Sequence, residues 1–98
     1  MASQMGEQTN RAVVSVLGSD RPGIVAAVSA VLAQADANIL DISQTILQGI
    51  FTMTMLVDLS AGESDFADLQ SRLAELQEQL GVQIMLQRED VFRYMYRL

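Results

Sequence analysis

Two incompatible periodicities, set on either side of a short polar turn, limit most strongly what this chain can fold into. From Ile50 to Leu59, the residues Phe51, Met53, Met55, Val57 and Leu59 alternate with Thr52, Thr54 and Asp58. That is the period of a strand in a sheet buried on one face and wetter on the other. From Phe66 onward the apolar residues return as Phe66, Leu69, Leu73, Leu76 and Leu80, the three-and-four spacing of an amphipathic helix. The helical stripe runs for only about two heptads, too short for a coiled coil. A chain holding both patterns has to lay helix on sheet.

The flanking segments extend the pattern. Arg11 to Leu17 is valine-rich and bounded by Gly18, which predicts a buried strand. The turn Gly18-Ser19-Asp20-Arg21-Pro22-Gly23 follows, with the only proline of the chain. Asp20 is placed to cap a helix whose first turn tolerates Pro22. Ile24, Val28, Val31, Leu32 and Ala35 then mark one helical stripe ending near Asp36. Its valines lower helix propensity, so packing on a sheet must hold it. Asn38 to Leu47 reads as a second strand, with Leu40, Ile42 and Ile46 on one side and Asp41, Ser43 and Thr45 on the other. Gln48-Gly49 is a two-residue hairpin connection into the strand from Ile50.

Downstream, Ser60 to Ser64 reads as a turn, with Ser64 or Asp65 as the helix cap, and Gly81 ends that helix. Val82, Ile84 and Leu86 alternate with Gln83, Met85 and Gln87 as a fourth strand. Glu89 to Arg97 is a last amphipathic piece, with Val91, Phe92, Met95 and Tyr96 near a common face. The order strand–helix–strand–strand–helix–strand, with right-handed β-α-β connections, predicts an α+β fold. The expected architecture is a ferredoxin-like βαββαβ sandwich: a four-stranded antiparallel sheet, two helices on one face and a short C-terminal helix. The opposite face must meet that terminal helix, a second subunit or water.

Composition narrows function by what is missing. The 98 residues suit one domain, here 11–98 with a terminal helix at 89–97, after a flexible polar tail at 1–10. No apolar run is long enough to cross a bilayer, and MASQMGEQTN lacks the features of a secretory signal. There is no cysteine, so nothing points to an oxidising compartment and a cytoplasmic location is expected. A net charge of −6, with six arginines and no lysine, offers no basic stripe for phosphates, which argues against nucleic-acid partners. The absence of His, Cys and Lys removes the commonest general base, thiol nucleophile and Schiff-base amine. The chain is not expected to be an enzyme, and no cofactor is implied. Asp36, Asp41 and Asp58 have no metal-ligand spacing, so no metal is expected.

What remains is a binding function centred on the Gly18–Gly23 loop. Glycines let backbone approach a ligand closely, and free N–H groups at a helix start favour a carboxylate. Asp20 or Asp41 could accept from an ammonium group, and Arg21 could clamp a carboxylate. The same residues equally fit a tight strand-to-helix turn with an Asp cap and a solvated arginine. Asn38 fits a left-handed turn between helix and strand more readily than a ligand contact. Met53 and Met55 read as core filling. The aromatic-rich terminal helix reads as cover for the exposed sheet face or as part of an interface.

The run Gly18-Ser19-Asp20-Arg21-Pro22-Gly23-Ile24-Val25, followed by Ala37-Asn38-Ile39, resembles the ACT domain. The later DISQTILQGIFTM segment resembles the stand-alone ACT proteins of the UPF0237 type, relatives of the ACT modules of the glycine cleavage system transcriptional repressor. The resemblance spans residues 11–98. It implies a regulatory module that pairs with a second ACT domain, as a homodimer here, and binds an amino acid at the interface. Carried over by position, it places ligand contacts at Gly18, Asp20, Arg21, Pro22, Gly23, Ile24 and Val25 of one subunit, with Asn38, Ile39 and Asp41 of the other. ACT modules usually accompany an enzyme or DNA-binding domain, which this sequence does not include. A ligand-free module that pairs with a partner protein is the alternative.

Overall fold

The computed structural model describes residues 10–59 and 66–95. Its elements are strand β1 (Arg11–Ser19), helix α1 (Ile24–Gln34), strands β2 (Asn38–Leu47) and β3 (Ile50–Asp58), helix α2 (Phe66–Leu80), strand β4 (Gln83–Arg88) and helix α3 (Glu89–Met95). The strands form one sheet in the order β2-β3-β1-β4, with every pairing antiparallel. This is the βαββαβ arrangement expected from the sequence. The expected cap at Ser64 or Asp65, the tail before Asn10, and Tyr96 and Arg97 lie outside the described residues.

Alternation decides the core. Ala12, Val14 and Val16 of β1, Phe51, Met53, Met55 and Val57 of β3, and Ile84 and Leu86 of β4 are buried on one face of the sheet. Ile24, Val28 and Leu32 of α1 and Leu69, Leu73 and Leu76 of α2 close over them in a single cluster. Burying such side chains stabilises by about 1.5–3 kcal/mol each relative to exposure. α3 lies against β1 and β4. Glu89, at its first position, holds it down: Oε2 accepts from Arg11 Nη2 at 3.1 Å and from Arg93 Nε and Nη2 at 2.9 and 2.7 Å. Val13, which belongs to the face opposite the two long helices, is also buried.

The turns differ from expectation in instructive ways. The hairpin is as predicted: Gln48 and Gly49 have φ of 49° and 85°, the pair of positive values that a type I′ turn needs. Between α1 and β2 the left-handed residue is Asp36 (φ 58°), not Asn38, which already pairs with Asp58 in the sheet. Asp36 N donates to Ala33 O at 3.0 Å and Ala37 N to Leu32 O at 2.9 Å, so the helix ends in a Schellman motif and its last carbonyls are satisfied. β1 does not stop at Gly18. It continues to Ser19, with Gly18 opposite Phe51.

Gly18 is needed for space. A Cβ there would lie 2.6 Å from Val82 Cγ1 and 2.9 Å from Val82 Cβ, inside contact distance. Gly18→Ala should therefore destabilise by about 1–3 kcal/mol through overpacking, read as a lower urea midpoint. Adding Val82→Ala should recover part of the loss, because the two sites are in contact and couple. Glu89→Ala should cost about 1–3 kcal/mol as its charged hydrogen bonds vanish and should speed trypsin cleavage at Arg88 and Arg93.

Candidate functional site

The β1–α1 loop, Asp20 to Gly23, is exposed throughout and fixed at three points. Asp20 N donates to Gly49 O at 2.9 Å, tying the loop to the β2–β3 hairpin. Arg21 Nη1 donates to Leu80 O at 2.8 Å, so the guanidinium engages a carbonyl at the C-terminal end of α2. Such a position suits a cation, since the last carbonyls of a helix are electron-rich and lack intrahelical donors. At the third point, Ala27 N donates to Gly23 O at 2.9 Å.

The helix start is not capped as expected. Gly23, with φ 93°, is the N-cap residue, and no side chain bonds to the first turn. Asp20 stands too early in the loop for that role, because Pro22 and Gly23 precede the first helical residue, Ile24. No acidic residue occupies the first turn. The N–H groups of Ile24, Val25 and Ala26 thus have no intrahelical acceptor, and the local field there favours an anion. Ile24 is 2% exposed, backbone included, whereas Ala26 is exposed. Val25 is partly buried against the core.

Asn38, Ile39 and Asp41 sit at the start of β2. Asp41 Oδ1 accepts from Ile42 N at 2.9 Å. A register shift falls between Ile39 and Asp41, and it changes which side chains share a face. Ile39, Ile42 and Ile46 stand beside Val57, Met55 and Phe51 on the helix-side face, while Leu40 is the extra residue of the bulge. The expected grouping of Leu40 with Ile42 and Ile46 is corrected accordingly.

The structure does not bring the two sets of candidates together within one chain. β1 and β2 both run antiparallel to β3, hence parallel to each other. The loop after β1 lies beyond Ser19, Ile50 and Leu47, whereas Asn38 pairs with Asp58, which pairs with Arg11. The ten residues of β2 separate the sets, roughly 30 Å at strand rise.

β2 itself is the feature that sequence reading missed. All ten of its residues are exposed. Ile39, Leu40, Ile42, Ile46 and Leu47 retain between 38% and 67% of their accessible surface. α1 barely reaches this strand, so an edge with open backbone carries exposed aliphatic side chains, with Gln44 between Ile42 and Ile46 on the helix-side face. Periodicity marked these residues as apolar. It gave no sign that the covering helix would fall short of them.

A family model described as ACT domain matches residues 10–87, which leaves the whole of α3 beyond the match. A UPF0237 protein of Methanocaldococcus jannaschii is 56% identical over 89 residues, covering 91% of this chain and 99% of that one. The structure of an ACT domain protein from Streptococcus pneumoniae is 40% identical with a TM-score of 0.73, covering 88% of this chain and 97% of that one. A candidate glycine cleavage system transcriptional repressor is 29% identical with a TM-score of 0.71, and the match spans 80% of this chain but 44% of that one. With its βαββαβ sheet, its Asp-Arg-Pro-Gly loop and these relatives, the chain belongs to the ACT domain family.

Proposed function

We propose that this protein is a ligand-sensing regulatory module that binds an amino acid between two copies of itself. One observation carries the reading: the candidate contacts are split between opposite ends of an exposed edge strand. A two-fold axis pairing β2 with β2 of a second copy runs the two strands antiparallel. It sets Asn38, Ile39 and Asp41 of one copy beside the loop end of the other. The N–H groups of Val25 and Ala26 in the first turn of α1 suit the ligand's carboxylate, and Asp20 or the second copy's Asp41 suits its ammonium group. The same pairing covers the Ile39–Ile46 aliphatic surface. Ligand seated there favours one packing of the two copies, and that shift is the signal a partner would read.

A second reading has its own support. Gly18 faces Val82, and Arg21 is engaged with Leu80 O, so two of the candidate residues have structural duties without any ligand. On that reading the module only pairs with another protein.

Titration calorimetry with a panel of amino acids separates the two. We expect heat and thermal stabilisation for at least one of them. No response to any would leave the second reading. Ile42→Lys, a charge on the pairing edge, should shift the protein to monomer and abolish binding together, although the side chain of residue 42 is not among the candidate ligand contacts. A monomeric Ile42→Lys variant that binds as tightly as the parent would place the site within a single subunit.

A further inference from the structure

The sheet has two outer edges, and they are finished differently. β4 and the residue before it carry the uncharged run Val82-Gln83-Ile84-Met85-Leu86-Gln87, without proline or glycine. An apolar, uncharged run of that length on an open edge is prone to pair with another chain. The usual protections are missing between Gln83 and Gln87: there is no lysine, no other charge and no proline, and the ladder to β1 is regular. Met85, on the face opposite the helices, is half exposed.

Gln77 stands against this edge. Its side chain reaches across from α2, and Oε1 accepts a hydrogen bond from Ile84 N at 2.8 Å in a partly buried setting. The Ile84 N–H therefore points away from β1, and antiparallel alternation gives Leu86 the next outward N–H. Gln77 takes the outward donor nearest the start of the strand. With Gln70, Gln87 and Leu86 it also lines a trough of about 290 Å³ between α2 and β4. At the far end Arg88 lies over the Phe66 ring, 4.6 Å from its centroid. Thr52 Oγ1 of the neighbouring β3 donates to Thr45 O of β2 at 3.3 Å, but no helix side chain is seen on an outward N–H of β2 among the described residues. Its one side-chain bond to an outward N–H comes from the adjacent, exposed Asp41.

Symmetry explains why one edge has to be closed. A chain that pairs β2 with β2 through one two-fold axis makes a closed dimer. If β4 also paired with β4 through a second axis, the two contacts would alternate without end and give an open-ended sheet. We infer that Gln77 shuts the β4 edge and so confines pairing between copies to β2. The inference deepens the proposed dimer and rests on it for its purpose, though not for its chemistry. The partner excluded is a second copy of this chain.

The test compares the parent with Gln77→Ala and Gln77→Met by light scattering over a concentration series, with far-UV circular dichroism to confirm folding. Gln77→Met keeps the bulk packed in the trough and removes only the acceptor. Both variants should stay folded and rise to at least about twice the parent mass. Hydrogen exchange at the Ile84 amide should quicken in the dilute variants and slow again as they associate. Folded variants that keep the parent mass at every concentration would overturn the inference, as would an unchanged Ile84 exchange rate. If the parent is a monomer and Gln77→Met a dimer, the closed β4 edge stands and the β2 dimer falls.

Discussion

The close approach of Gly18 to Val82 is the constraint on which the candidate site depends. It lets the end of β1 lie against the residue just before β4, one step after the glycine that ends α2. Because those segments converge there, Arg21 reaches Leu80 O and Asp20 N reaches Gly49 O. The loop is thereby held between the C-terminus of α2 and the β2–β3 hairpin. A side chain at position 18 would push β1 and β4 apart at the point where the loop is anchored. Placement of the loop is thus a packing consequence first, and any affinity for a ligand is built on it.

A second theme is the contrast between the edges. Both outer strands are short of charge, and both would pair if left open. β4 is guarded by a side chain from the helix packed beside it, while β2 extends past its helix and keeps its aliphatic surface in the open. The contrast follows from coverage. α2 packs along β4 with Gln77 in reach of Ile84, whereas α1 sits over the middle strands and leaves β2 overhanging. α3 adds cover to the opposite face over β1 and β4, again away from β2. Among the described residues, β2 is the strand on which every residue is exposed, and it is the edge where the candidate ligand groups could meet.

The fold was legible because its signals were redundant. Phe51 to Val57 and Phe66 to Leu80 each follow one period cleanly, and Gln48-Gly49 and Gly81 punctuate them where the chain turns. The errors fell where local signals competed. Asn38 is a good left-handed residue, but Asp36 was one Schellman geometry closer to the helix end and took that position. Leu40 obeyed alternation until a bulge removed it from the count, and a bulge leaves no mark in a run of apolar residues. Asp20 is a good capping residue, but Pro22 and Gly23 stand between it and Ile24. The candidate site was legible as a list of residues and illegible as a place. Nothing in the spacing of Asp20 and Asp41 reveals that a whole strand separates them.

The engagement of Arg21 with α2 bears on what such a site could transmit. One Nη1–H is committed to Leu80 O, and a guanidinium has several further donors in the same plane. A carboxylate arriving at the start of α1 would meet a group already attached to the end of α2. Drawing Arg21 toward the ligand would weaken its hold on that carbonyl, and the strand that begins just beyond it is β4. On the proposed reading, ligand occupancy at one end of the sheet would be joined to the setting of the α2–β4 junction through a single side chain. A rearrangement of hydrogen bonds of this kind would carry a signal without any covalent step.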